Sequence, residues 1–180
     1  MSNGMRAMLG GGAIALALAA AGCGGAGGGG AAAKWNQTDA CKTLDAAGVA
    51  AATGLQVKSA ELASSHSASD GGASMSQCSY MLANDAVASL TTRYTPDDEM
   101  TDAQMQEMAT AGGTMTGFEP VDGLGMKAFW NPKAGMLQVF PDRRSWVATA
   151  YRAAMTLPGT PAAPGPDPKV VTLAMAKKVL

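Results

Sequence analysis

The sequence predicts an α+β domain, with a largely antiparallel sheet and short helices packed on one face, in the order α-βββ-α-βββ-α. Two observations carry this expectation. Three segments have helix-cap signatures, two of them with a glycine stop beyond, and they are far apart in the chain. Between them lie short β-prone runs, punctuated by turn residues every few positions.

The first helical segment lies within Cys41–Gly54. Asp45 is placed to cap it, Leu44 and Val49 stand at the two positions of a hydrophobic staple, and Gly54 stops it. Leu55 to Leu62 reads as a strand. Residues 63–76, rich in Ser, Ala and Gly, read as a mobile loop that contains His66. Gln77 to Leu82 and Val87 to Thr95 form a hairpin around Asn84-Asp85. Alternation puts Cys78, Tyr80 and Leu82 on one face of the first strand, and Ala88, Leu90, Thr92 and Tyr94 on one face of the second.

The second helix spans Thr101 to Ala111. Thr101 and Gln104 make a capping box, Met100 and Met105 a staple, and Gly112 is the stop. Strands follow at Gly125–Asn131, Met136–Phe140 and Ser145–Ala153, joined by turns at 131–135 and 141–144. Residues 157–167 hold four prolines and read as an irregular crossing. Asp167 then caps a last helix with Pro168 in its first turn, running to Val179 with Lys177 and Lys178 near its end.

The amino terminus has a different character. Met1 to Met8 carries Arg6 as its one charged side chain, and Leu9 to Ala21 is an uncharged apolar stretch of about 13 residues, short of the roughly 20 that span a bilayer. Ala21, Gly22 and Cys23 then resemble a lipobox, the recognition site of the type II signal peptidase, although Ala20 stands where Leu is usual. Processing after an Ala-x-Ala site is the alternative. The resemblance implies a bacterial lipoprotein cut before Cys23, whose thiol takes a diacylglyceryl group and whose freed amine takes a third, palmitate-type chain. Two or three chains exceed the marginal hold of one. Gly24 after the cysteine implies the outer membrane, facing the periplasm. Domain organisation follows as a signal peptide over 1–22, a Gly/Ala-rich tether over 23–34 and a globular domain over 35–180. Ten residues of Gly-rich coil would span roughly 15–20 Å, so the head could reorient above the lipid.

Two cysteines remain once Cys23 is assigned. In an exported chain Cys41 and Cys78 read as one disulfide, which would stabilise the fold by about 3–4 kcal/mol and tie the first helix to the hairpin. The folded part also resembles small secreted bacterial lipoproteins of unknown function. That resemblance rests on Cys41 to Leu44, Thr53-Gly54, Cys78-Ser79-Tyr80 and Gly123-Leu124-Gly125-Met126-Lys127-Ala128-Phe129. It implies a disulfide-linked α+β domain and no activity.

The chain balances 13 basic against 14 acidic side chains without a basic run, which argues against nucleic acid as a partner. Candidate chemistry is sparse. His66, the single histidine, lies among serines with nothing to orient it as a catalytic base. Asp97, Asp98, Glu99 and Asp102 lack the calcium-loop pattern and suit a helix start. Met105 and Met108 have the M-x-x-M spacing that a soft Cu(I) site can use, yet the same spacing makes a core stripe. Gly123-Leu124-Gly125 lacks the third glycine of a dinucleotide fingerprint and reads as a turn. Trp130, Phe140, Trp146 and Tyr151 could line a groove, though core packing suits them better. The expectation is a non-enzymatic, membrane-anchored envelope lipoprotein that binds a protein or another envelope component and needs no cofactor. The alternative is a periplasmic small-ligand or copper-binding module.

Overall fold

The computed structural model describes residues 38–67, 72–96, 99–110, 117–154 and 165–180. The expected signal peptide, Cys23 with the lipobox resemblance, the expected tether, Asp97, Asp98, the expected stop at Gly112 and most of the proline-rich crossing lie outside the described residues.

Seven strands form one sheet: β1 (Val57–His66), β2 (Ser74–Leu82), β3 (Val87–Tyr94), β4 (Glu119–Pro120), β5 (Lys127–Asn131), β6 (Met136–Phe140) and β7 (Ser145–Arg152). Their spatial order is β1-β2-β3-β7-β6-β5-β4, and each pairing is antiparallel. Four helices accompany them: α1 (Ala40–Thr43), α2 (Ala46–Thr53), α3 (Asp102–Thr110) and α4 (Pro168–Val179). The α+β class holds, with β1–β3 and β4–β7 as two antiparallel blocks joined through the β3–β7 pairing.

The finer order differs from expectation in three places. The first helix is two helices, because Leu44 is extended and Asp39 and Asp45 each cap a helix of their own. The Asp45 carboxylate accepts from Gly48 N at 2.7 Å, and Leu44 and Val49 meet in the core as the staple requires. The second block holds an additional short strand, β4. Finally, β1 continues to His66 and β2 starts at Ser74, so both ends of the expected loop, 63–66 and 74–76, are ladder, closing at the pair His66–Met75. Pairing with Gln77, Ser76 and Met75 of β2 overrides the weak local propensity of Ala-Ser-Ser-His.

The helices are not confined to one face. α1, α2 and α4 cover the face formed by Cys78, Tyr80, Leu82, Ala88, Leu90, Val147 and Tyr151, and α4 continues over Leu137 and Val139. α3 lies on the opposite face, where Met105 packs with Phe129 and Phe140, side chains that alternate with Ala128, Trp130 and Val139. The near-continuous burial of β5 and β6 demands a second cover, since alternation would leave one of those faces wet.

Three ties fasten α1 to β2. The Cys41–Cys78 disulfide has Cα atoms 5.0 Å apart. Ala40 N donates to Ser76 Oγ at 2.8 Å, and the Tyr80 hydroxyl donates to the Leu44 carbonyl. Tyr80 is fully buried, and burial, reinforced by Asp45 and Asp39, pushes its ionisation above the ordinary tyrosine range.

Candidate functional site

The sheet face that carries Phe129 and Phe140 is covered unevenly. α3 lies over the β5–β6 end, with the rim of Trp146 on β7. Toward β2 and β3 no helix among the described residues covers it. The register places side chains on this face in cross-strand rows. Met75, Arg93 and Trp146 form one row. Gln77, Thr91, Ala148 and Gln138 form the next, and Ser79, Ser89, Ala150 and Met136 the third. Met81, Val87 and Arg152 close the series.

The centre of this face is therefore a floor of small side chains, Ser79, Ser89, Thr91, Ala148 and Ala150, all half-buried by their neighbours. Larger side chains ring it. Met75 and Met81 are 38% and 40% exposed. Arg93 is half-buried at one end and Arg152 is exposed at the other. Neither arginine has an ion pair among the described residues, although six such pairs occur elsewhere. Glu61 on β1 shares the face through its partner Ser79.

A second concavity, of about 220 Å³, lies where α3 meets the turn before β5, between Gln106, Asp122 and Phe129. It is smaller than most small-ligand pockets, which start near ~300 Å³. Lys127 on its wall is engaged by Asp102 at 3.4 Å, and Arg143 holds the same carboxylate at 3.0 Å. The two cations, Lys127 foremost, hold the Asp102 carboxyl below its ordinary value. Gly123 and Gly125 shape this turn with φ of 74° and 64°. Met126 N donates to Phe140 O at 2.8 Å, so the Gly-x-Gly run is a turn closed onto β6.

The other candidates from the sequence are dispersed. His66 ends β1 and is exposed, and Ser65 beside it donates to the Thr38 carbonyl at 2.7 Å. Glu99 pairs with Arg144 at 2.8 Å, and Asp102 belongs to the network just described. Met105 is fully buried, and Met108 is partly buried in the same cluster with Phe129. The four aromatics do not share a groove: Trp130, Tyr151 and the Phe140–Trp146 pair belong to three different clusters on two faces. Among the described residues no group of three His, Cys, Asp or Glu side chains could hold a metal ion. No helix there is long and apolar enough to cross a membrane.

Sequence reasoning passed over the ringed face. Its signal was present in the polar phase of three strands: Ser79 and Met81, Ser89 and Thr91, Ala148 and Ala150. Small residues in an outward phase ordinarily read as solvated surface, so only the register makes them adjacent. No protein-family model, no curated protein and no solved structure matches the chain.

Proposed function

We propose that the protein is a lipid-anchored domain of the bacterial cell envelope, non-enzymatic, that holds a protein or another envelope component against the ringed face of its sheet. The observation that carries this reading is the uneven cover of the sheet: one face is covered by α1, α2 and α4, while over β2 and β3 the other has no helix among the described residues and displays half-exposed methionines. Exposed apolar side chains around a shallow floor suit a macromolecular surface better than a small ligand, which needs enclosure. The anchor at Cys23, with residues 1–22 removed and 23–34 as tether, would hold this face near the membrane, and Gly24 favours the outer membrane facing the periplasm.

Two measurements test the reading. Cys23→Ser should move the protein out of the membrane fraction and remove the acyl mass from the mature chain; unchanged fractionation and mass would refute the anchor. A photo-crosslinking residue at Ser89 should capture a defined partner in intact cells, while the same residue at Lys178 on α4 should not. Equal adducts from both positions, or none from Ser89, would refute the face.

A further inference from the structure

The ringed face has the dimensions and charges of a helix-docking surface. From β2 to β7 the floor crosses three strands, about 10 Å at the usual inter-strand spacing, close to the width of an α-helix with its side chains. Ser79, Ser89 and Ala150 lie in one row and keep the floor low enough for a helix to approach. Met75 and Met81 along the β2 side are unbranched and adjust to irregular apolar partners. Arg93 and Arg152 bracket the floor. They are separated by the six-residue offset between the Arg93–Trp146 and Val87–Arg152 pairs, roughly 20 Å along the strands.

From these relationships we propose that the face docks an amphipathic helix of a partner protein, one that presents small aliphatic residues to the floor and two carboxylates to Arg93 and Arg152. Resting on the binding role proposed above, this inference adds the partner's chemistry. Carboxylates about 14 residues apart fit, since ~14 residues advance ~21 Å and return to nearly the same side of a helix. Arginine pairs with carboxylate through two parallel hydrogen bonds, so the match fixes register as well as charge. Glu61 adds a third constraint by favouring a basic residue on the partner's β1-facing side.

Other occupants fit less well. A second copy docked face to face would set arginines against arginines, since a two-fold interface repeats the same patch on both sides. An extended peptide added to the outer edge of β1 meets register breaks between Val57 and Ser59 and between Leu62 and Ser64, leaving a short regular ladder between them.

The test uses the lipidated protein in neutral-lipid nanodiscs and a fluorescent 18-residue helical peptide. Ala and Leu line one side of that peptide, with Glu at its positions 2 and 16; a second peptide carries Lys at both. Anisotropy should show saturable binding of the Glu peptide that weakens as salt rises. R93E and R152E should each weaken it about tenfold or more, and the double variant should prefer the Lys peptide. That gain would also show that the double variant folds. The inference is overturned if the wild-type protein binds neither peptide, binds both equally, or keeps its affinity for the Glu peptide in the double variant. It is also overturned if anionic vesicles, or self-association, account for all Arg93-dependent binding. A partner captured through Ser89 in cells, together with failure of the peptide, would remove the helix inference and leave the binding role standing.

Discussion

The Tyr80 hydroxyl donates to the carbonyl oxygen of Leu44, across a separation of 36 residues and with both partners buried. Leu44 is the extended residue between α1 and α2, so this one bond holds the break between the helices against the middle of the sheet. The Leu44 carbonyl has lost its place in a helix ladder, and a buried carbonyl without a partner is costly. The tyrosine takes the role that the next helical turn would have had.

Removing that hydroxyl should show this directly. Tyr80→Phe keeps the ring and strands the Leu44 carbonyl, so stability should fall by about 1–3 kcal/mol, read as a lower denaturation midpoint at unchanged m. The pH dependence has a definite sign. Burial raises the ionisation of Tyr80 in the folded state, so its contribution is complete below the unfolded value of about 10 and declines as pH rises past it. The wild-type protein should therefore lose stability above about pH 10, and Tyr80→Phe should lose less over the same range. Parallel alkaline curves for the two proteins would contradict the assignment.

Two positions back on the same strand face, Cys78 closes the disulfide to Cys41 over a separation of 37 residues. Loop closure of that length should contribute about 3–4 kcal/mol. The double substitution Cys41→Ser, Cys78→Ser should lower stability by about this amount and still leave a folded protein, because Ala40–Ser76 and Tyr80–Leu44 keep α1 on β2. Near-ultraviolet dichroism and urea titration check both halves of the statement. Loss of the folded signal in the double serine variant would show that the polar ties depend on the covalent one.

How far the sequence reached depends on the range of the forces concerned. Caps are local, and they were legible: Asp45 on Gly48 N, the reciprocal Thr101–Gln104 pair at 2.7 and 3.2 Å, and Asp167 on Lys169 N all stand where residue type placed them. The faces of β2 and β3 were legible too, because Cys78, Tyr80, Leu82, Ala88 and Leu90 alternate cleanly. Extension of β1 to His66 was not, since its neighbour on β2 supplies the order that Ala-Ser-Ser-His lacks. The side taken by α3 was hidden because the apolar runs of β5 and β6 fit two sandwiched faces or a single deep core equally well. The ringed face depends on which strands are neighbours. The β3–β7 pairing that joins Ser89 to Ala150 spans 61 positions of chain, beyond any local pattern.

Asp102 makes a more local prediction. It opens α3 and binds Lys127 on β5 and Arg143 on the β6–β7 turn, so one carboxylate fastens the helix to the opposite-face cluster. Both cations favour its charged form, which lowers its pKa in the folded protein. The resulting stabilisation is present above the unfolded pKa of about 4 and fades as pH falls through the lower folded value. Carbon-detected NMR titration should place Asp102 below the ordinary aspartate value. Lys127→Met should raise it more than Arg143→Met does, because Lys127 contributes most. The reverse ranking would mean that the turn, and not β5, holds the helix.

The two glycines of the turn before β5 should separate cleanly under substitution. Gly123 has φ 74° with no atom within 4 Å of an added Cβ, so Gly123→Ala carries only the left-handed backbone cost, about 1–2 kcal/mol. Gly125 has φ 64°, and a Cβ there would stand 2.7 Å from Phe140 O and 2.9 Å from Val139 Cγ1. Phe140 O already accepts from Met126 N, and Phe140 is fully buried against Phe129 and Met105, so the strand cannot withdraw without opening that cluster. Gly125→Ala should therefore cost more than Gly123→Ala by about 1–3 kcal/mol, the usual range for an overpacked site. Thermal unfolding of the two variants side by side measures the difference. Equal losses would mean that the contact with β6 is soft, and that the turn is fixed by backbone conformation alone.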